Sequence, residues 1–154
     1  MTMYLMREFA RTSLRLRLRS AEFIKDIIDD LNKEGKNATG TLAKSLRFSQ
    51  AVTSGMITVN FKAKDYWKWV DKGRRPGKQP PVKPLIRWAK VKLGLSGNDA
   101  VSAAFAISKT IARKGTKGTN TFTNNINKYK QDIDKLRNKE LKQDVSEFIR
   151  KALR

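Results

Sequence analysis

A sixteen-residue stretch, 66–81, limits the folds open to this chain more than any other segment. It reads YWKWVDKGRRPGKQPP and holds two Trp, three Pro, two Gly and five basic residues. Pro fixes φ and removes a hydrogen-bond donor, whereas Gly permits positive φ, so the aromatic segment leads into a loop with few alternative shapes. The stretch contains no set of catalytic groups. It predicts a rigid, cationic contact element.

The length and charge of the chain narrow its class. Its 154 residues predict one domain, 1–154, with a core of its own. The net charge of +20, from 34 Lys and Arg against 14 Asp and Glu, favours an anionic neighbour. Nucleic acid, an anionic membrane surface and an acidic protein all fit that description. A solvated basic surface is the plainer alternative.

The residue types that are missing argue against catalysis and against metal binding. The chain has no Cys and no His, which removes disulfides, Cys-ligated zinc and the commonest general base. The loop from Gly73 to Lys78 is one residue short of a phosphate-binding G-x-x-x-x-G-K-[ST] motif, and Gln79 replaces its hydroxyl. We therefore predict a protein that is not an enzyme and binds no cofactor or metal.

Hydrophobicity predicts a soluble protein that is cytosolic when it is synthesised. No segment approaches the roughly 20 apolar residues of a membrane span. The N-terminus carries Arg but lacks the apolar segment of a signal peptide. We expect no membrane association.

The N-terminal region, residues 1–35, favours a long helix that ends near Gly35, where Gly suits a left-handed cap. Its apolar positions follow a near-heptad stripe: Leu5, Phe9, Thr12, Leu16, Phe23, Ile27 and Leu31. The strict alternation from Leu14 to Arg19 leaves a strand as a competitor. A break near Ser20 is also open.

The remaining segments predict an α+β fold with a small antiparallel sheet packed against several helices. Alternating residues on either side of Ser54–Gly55 indicate a β-hairpin near 46–62. Pro84 is expected to open a helix that Gly94 stops, and Asn98 or Asp99 to cap the next. That next helix should bury Val101, Ala104, Phe105, Ser108, Ile111 and Ala112. Residues 115–119 look like a flexible loop, and 124–154 predict a long amphipathic helix.

Three groups of residues are candidates for contacts with a partner. Tyr66, Trp67 and Trp69 form an aromatic cluster that serves either core packing or stacking. Arg74, Arg75 and Lys78 follow in the loop, and guanidinium forks suit carboxylate or phosphate partners. Arg15, Arg17 and Arg19 form a row that is either an anion-binding face or a solvated one.

The residues between 36 and 123 contain a series of short motifs in a characteristic order: Ala38-Thr39-Gly40-x-Leu42-x-x-Ser45, Tyr66-x-x-Trp69-Val70-Asp71-x-Gly73-Arg74, Pro76-Gly77-Lys78, Pro80-Pro81, Ile86 with Trp88, Ala104-Phe105-Ala106-Ile107, Ile111, Gly115-Thr116 and Phe122. This order resembles that of the head–tail connector proteins of tailed bacteriophages, in the tail-completion or neck group. The stretch from tyrosine to proline is its most specific part.

The resemblance implies a small α+β structural protein of the virion without enzymatic activity. Such proteins form homo-oligomeric rings at the head–tail junction, where they contact portal, adaptor or tail proteins and help to retain or channel DNA. The high charge, the Arg-rich N-terminus and the long C-terminal helix depart from the family pattern. A basic, non-enzymatic nucleic-acid-binding protein is the alternative, and non-specific DNA contact is open under either hypothesis.

Overall fold

The computed structural model describes residues 2–36, 39–53 and 56–152, and these form an α+β fold, as predicted. The elements follow the order α1 (Thr2–Lys33), α2 (Thr41–Ser45), β1 (Arg47–Thr53), β2 (Met56–Lys62), α3 (Trp67–Lys72), β3 (Gly73–Arg74), α4 (Val82–Leu93), α5 (Gly97–Lys114), β4 (Thr116–Lys117) and α6 (Thr121–Ala152). Strands β1 and β2 form one antiparallel pair, and β3 and β4 form another.

Helix α1 is continuous, so both the strand alternative for Leu14–Arg19 and the break near Ser20 are wrong. Ser20 is buried against α6. Its hydroxyl donates to the Leu16 carbonyl at 2.7 Å and accepts from the Tyr129 hydroxyl at 2.9 Å. This polar residue therefore belongs to the contact between the helices. The helix ends as predicted, with Gly35 at φ +63°.

The two long helices, α1 and α6, pack against each other in antiparallel directions. The polar pairs between them fix the direction: Arg15–Glu140, Arg19–Asp132, Asp26–Lys128 and Asp30–Asn125. Helix α6 begins at Thr121, three residues before the predicted boundary. An isolated helix of this polarity gains little from propensity alone, so packing on α1 supplies much of its stability.

The hydrophobic core lies between the C-terminal half of α1, the short helix α2 and the start of α6. Its buried members are Phe23, Ile27, Leu31, Leu42, Leu46 and Phe122. The predicted stripe of α1 therefore faces the core from Phe23 onwards. The side chains of Leu5 and Phe9 lie outside the described part of the structure.

The predicted hairpin is confirmed, with a register that runs from Arg47 opposite Lys62 to Thr53 opposite Met56. Its turn residues, Ser54 and Gly55, lie outside the described residues. Near its base, Phe61 packs on Phe23 and on Tyr129 at ring-centroid distances of 4.7 and 5.3 Å. The far half, which carries Val52 and Met56, is exposed.

Helices α4 and α5 form a helical hairpin whose details differ from the predictions. Helix α4 begins at Val82, so Pro84 lies within the first turn, where a missing N–H costs no hydrogen bond. Helix α5 begins at Gly97, and neither Asn98 nor Asp99 caps it.

The buried stripe of α5 is also narrower than predicted. Small residues line it, namely Ala100, Ala104 and Ser108, which allow a close approach of the two helices. Val101 and Phe105 are exposed instead, Phe105 by 49%.

A network of ion pairs joins α1 to α6. The Arg19 guanidinium lies 2.7 Å from Asp132 and 3.6 Å from Asp26, and Lys128 lies 2.9 Å from Asp26. Burial alone would lower the pKa of Arg19, but Asp132, Asp26 and Glu22 together outweigh it and raise that pKa. The hydrogen bond from Lys128, with the charges of Lys128 and Arg19, lowers the pKa of Asp26.

These pairs predict an acid-sensitive contribution to stability. Because the pKa of Asp26 is lower in the folded chain than in the unfolded one, its contribution is present above about pH 4 and disappears as the pH falls further. Asp26→Asn should therefore cost up to about 1 kcal/mol at neutral pH and less at about pH 3. Urea denaturation at both pH values measures this. Asp29→Asn, which breaks no described ion pair, is the control; an equal cost of Asp26→Asn at both pH values would contradict the prediction.

Candidate functional site

The stretch 66–81 is held in place by a backbone crossing with the segment that precedes α6. Gly73 pairs with Lys117 and Arg74 with Thr116. On one side of the pair, the Thr119 and Asn120 amides donate to the Val70 and Asp71 carbonyls at 3.1 and 2.8 Å. On the other side, the Gly77 amide donates to the Ala112 carbonyl at 2.7 Å. The prediction of a flexible loop at 115–119 is therefore wrong, because these residues form half of this crossing.

Three glycines allow the two backbones to approach so closely. At Gly73, Gly115 and Gly118, an added Cβ would lie closer than 3.0 Å to backbone atoms of the opposite segment, a separation that Cβ atoms essentially never show. Gly73 and Gly115 also adopt φ of +75° and +73° with extended ψ, a region that is essentially restricted to glycine. We call this arrangement the glycine crossing.

Asp71 lies beneath the glycine crossing with only 1% of its surface exposed. Its carboxylate accepts a 3.0 Å hydrogen bond from the Thr123 amide and a 2.6 Å bond from the Thr123 hydroxyl. The amide belongs to the first turn of α6, so Asp71 acts as an N-terminal cap supplied by another helix. The negative charge also matches the positive end of the helix dipole.

An open groove of about 950 Å³ lies beside the glycine crossing, along α3, the loop and α4. We call it the basic groove. Its lining is mostly apolar, with Tyr66, Trp69, Pro80, Pro81, Pro84, Leu85 and Ile86. Charged side chains also line it, namely Lys64, Asp65, Arg74, Lys83, Arg87 and Lys90.

Trp69 and Arg74 form one wall of the basic groove. The Arg74 guanidinium lies 5.2 Å from the centroid of the Trp69 ring, within cation–π distance. It also donates a 2.7 Å hydrogen bond to the Lys78 carbonyl. Arg74 thus ties the loop to α3, while 53% of the Trp69 surface stays exposed.

The electrostatics of the basic groove are one-sided. Lys64, Lys83, Arg87 and Lys90 form no ion pair among the described residues, and Asp65 is the only carboxylate in the described lining. Burial raises the pKa of Tyr66, although the nearby Arg87 charge opposes that shift. The groove therefore favours an anionic ligand with apolar parts.

The structure brings together only some of the residues that the sequence singled out. Tyr66, Trp69 and Arg74 line the basic groove. Trp67 does not; it packs on the core, with its ring 5.1 Å from that of Phe122. Arg75 and Lys78 are exposed in the loop, outside the described lining.

The predicted arginine row is divided by the helix. Arg15 and Arg19 lie one turn apart and pair with Glu140 and Asp132 of α6, whereas Arg17 is exposed. Arg19 keeps only 13% of its side chain exposed. These two arginines therefore serve the contact between helices, because their charges are already balanced inside the chain.

Sequence reasoning missed the contribution of α4 and the role of Asp71. Lys83, Arg87 and Lys90 have the i, i+4, i+7 spacing of one helix face, so their alignment was readable from the sequence. No local signal pointed to Asp71, because its partner lies 52 positions away.

The basic groove has the features of a binding surface. Among the described residues, no group of three His, Cys, Asp or Glu could hold a metal ion. Among the described helices, none combines the length and the apolar character needed to cross a bilayer. In comparisons with known proteins, no family model, no curated protein and no solved structure matches the chain.

Proposed function

We propose that this chain is a structural subunit of a tailed-phage neck, a head–tail connector protein that forms a ring between portal and tail. One observation carries the proposal: the stretch that resembles the connector family most specifically, 66–81, is fixed by the glycine crossing and borders a groove suited to binding. A rigid contact element of this kind suits an assembly protein that makes the same contacts in every copy.

The chemistry of the basic groove supports binding over catalysis. Its ionisable side chains are lysines, arginines, Tyr66 and the single carboxylate Asp65. Catalytic acids and bases usually come as groups whose environments push their pKa values in different directions. In the described lining, Asp65 has no second carboxylate beside it with which to divide the roles of acid and base.

The hairpin supports assembly into a ring. Copies that each carry a net charge of +20 repel one another, so contacts between them favour uncharged surface. Residues 48–61 form the longest uncharged run in the sequence, and neither β1 nor β2 has a second pairing partner in the described chain. Pairing the β1 edge of one copy with the β2 edge of the next is a heterologous contact, and such contacts form a ring when the rotation between copies closes.

Location in the particle tests the proposal. We expect mass spectrometry of intact, nuclease-treated tailed particles to detect this chain, and immunogold labelling to place it at the head–tail junction. Arg74→Glu with Arg75→Glu should reduce the joining of heads to tails. Lys109→Glu with Arg113→Glu makes the same charge change on α5 and is the control, which should join heads to tails normally. Absence from particles whose other structural proteins are all detected, or normal joining by the first variant, would contradict the proposal.

A basic nucleic-acid-binding protein is the second candidate, favoured by the unpaired cations of the basic groove. It requires an affinity for DNA that falls with salt, with a log–log slope of about −0.9 for each phosphate neutralised. A slope near zero would remove this candidate. A neck ring that lines a DNA channel also makes weak contacts of this kind, so the location of the chain in particles decides between the two.

A further inference from the structure

We propose that the basic groove binds an acidic segment with bulky apolar side chains, supplied by a neighbouring protein of the assembly. The inference rests on the proposed function and names the chemistry of the partner. Three features of the groove carry it: its apolar lining, its unpaired cations and its rigidity.

The apolar lining calls for apolar side chains in the ligand. Trp69 exposes 53% of its surface and lines the groove together with Tyr66 and three prolines. Exposed Trp beside Arg is the composition that dominates binding energy at protein interfaces. The groove is open along α3 and α4, which suits a peptide segment better than an enclosed small molecule.

The unpaired cations call for carboxylates. Lys83, Arg87 and Lys90 lie along one face of α4 over roughly 10 Å, given a rise of about 1.5 Å per residue. Lys64 lines the groove as well. Acidic side chains spaced along an extended or helical segment can meet these charges while apolar ones contact Trp69 and Ile86.

A second copy of this chain fits the groove poorly. Of its 14 acidic residues, seven already form ion pairs within the described chain, namely Glu22, Asp26, Asp30, Asp71, Asp132, Asp134 and Glu140. A copy that approaches the groove therefore brings mostly cations. Charge complementarity favours a different, acidic protein.

Nucleic acid also fits less well than an acidic peptide. Single strands bind grooves whose aromatic rings offer free faces to successive bases. Here Arg74 occupies one face of Trp69, and Tyr66 is half-buried. The prolines and aliphatic side chains of the lining would meet sugars and phosphates, with which they form no hydrogen bonds.

The rigidity of the groove lowers the cost of binding. The glycine crossing fixes one end of the loop, and the Ser108 hydroxyl donates a 3.0 Å hydrogen bond to the Pro80 carbonyl at the other. Arg74 is held by the Lys78 carbonyl and the Trp69 ring. Little conformational entropy is then lost when a segment binds.

A selection from a displayed library of random dodecapeptides tests the inference with the purified chain. We expect the selected peptides to be enriched in Asp and Glu together with Leu, Ile, Phe or Trp. By fluorescence polarisation, Trp69→Ala and Lys83→Glu with Arg87→Glu should each weaken their binding by about tenfold or more. All three substituted side chains are exposed, and circular dichroism verifies that both variants fold.

Matched controls separate the groove from general effects. Trp88 is 36% exposed and lies outside the described lining, so Trp88→Ala should change the affinity less than about threefold. Lys109→Glu with Arg113→Glu repeats the charge change on α5 and should have an effect as small as that. Equal losses in the control and groove variants would overturn the inference, because the residues of the groove would then have no specific part in the binding.

Other results would assign the groove to another occupant and overturn the inference. They are enrichment of peptides without acidic residues, competition by oligothymidylate for the peptide site, and loss of self-association in the Trp69→Ala variant during sedimentation.

The outcome of this test can be separated from the outcome of the test of the proposed function. A chain found at the neck that binds no acidic peptide removes the inference alone, whereas a chain absent from particles that binds such peptides removes the neck assignment alone.

Discussion

Gly73→Ala is expected to lower the free energy of unfolding by about 4 kcal/mol, the sum of backbone strain and overpacking. The new Cβ would collide with the Thr116 carbonyl and the Gly118 amide, which are backbone atoms held by the opposite strand. The φ of +75° is itself strained for alanine. Urea denaturation followed by far-UV circular dichroism measures the loss, which should lower the midpoint of thermal unfolding by roughly 10 °C.

Gly94→Ala is the matched control for this prediction. Gly94 ends α4 at φ +67°, yet an added Cβ there meets no atom within 4 Å. Its replacement should therefore cost only about 1 kcal/mol, the price of the left-handed conformation alone. Equal losses at Gly73 and Gly94 would mean that the two backbones can separate without cost, and the glycine crossing would then not hold the loop.

The parts of the fold that local signals specify were predictable. Alternating residues around a Ser–Gly turn specify the hairpin, and a periodic apolar stripe followed by Gly35 specifies the end of α1. In both cases the residues that determine the structure are close together in the sequence. Local propensity and tertiary packing then favour the same conformation.

The glycine crossing was not predictable in the same way. Its strands have two residues each, too few to show any alternation, and Gly73 pairs with Lys117, far along the chain. Gly115 and Gly118 are visible in the sequence, but glycine is equally typical of a flexible connector. Only the close approach of the two backbones reveals why glycine is required.

The candidate site was half predictable for a similar reason. Tyr66, Trp69 and Arg74 stand out because aromatic and basic residues cluster within the stretch 66–81. The arginines of α1 stand out as well, yet Arg15 and Arg19 are neutralised by acids more than 100 positions away. Charge in a sequence therefore marks a binding surface only where the fold leaves it unpaired.

Asp71→Ala is the second large effect that we expect, with a loss of about 3 kcal/mol in the free energy of unfolding. The substitution leaves the partly buried Thr123 amide and hydroxyl without their acceptor, and it removes the cap of α6. Asp71→Asn keeps one carbonyl acceptor and should cost less. Urea denaturation of both variants measures the difference.

A double-mutant cycle with Thr123→Val separates the capping interaction from general disruption. The coupling between Asp71→Ala and Thr123→Val should be about 1 kcal/mol or more, because both remove the hydrogen bond that the Thr123 hydroxyl donates to the Asp71 carboxylate. Asp99→Ala, at an exposed carboxylate in the first turn of α5, should cost no more than about 1 kcal/mol. Because α3 carries both Asp71 and Trp69, a loss of the cap should also weaken the basic groove. An Asp71→Ala variant as stable as Asp99→Ala would contradict this account of how α3 is held.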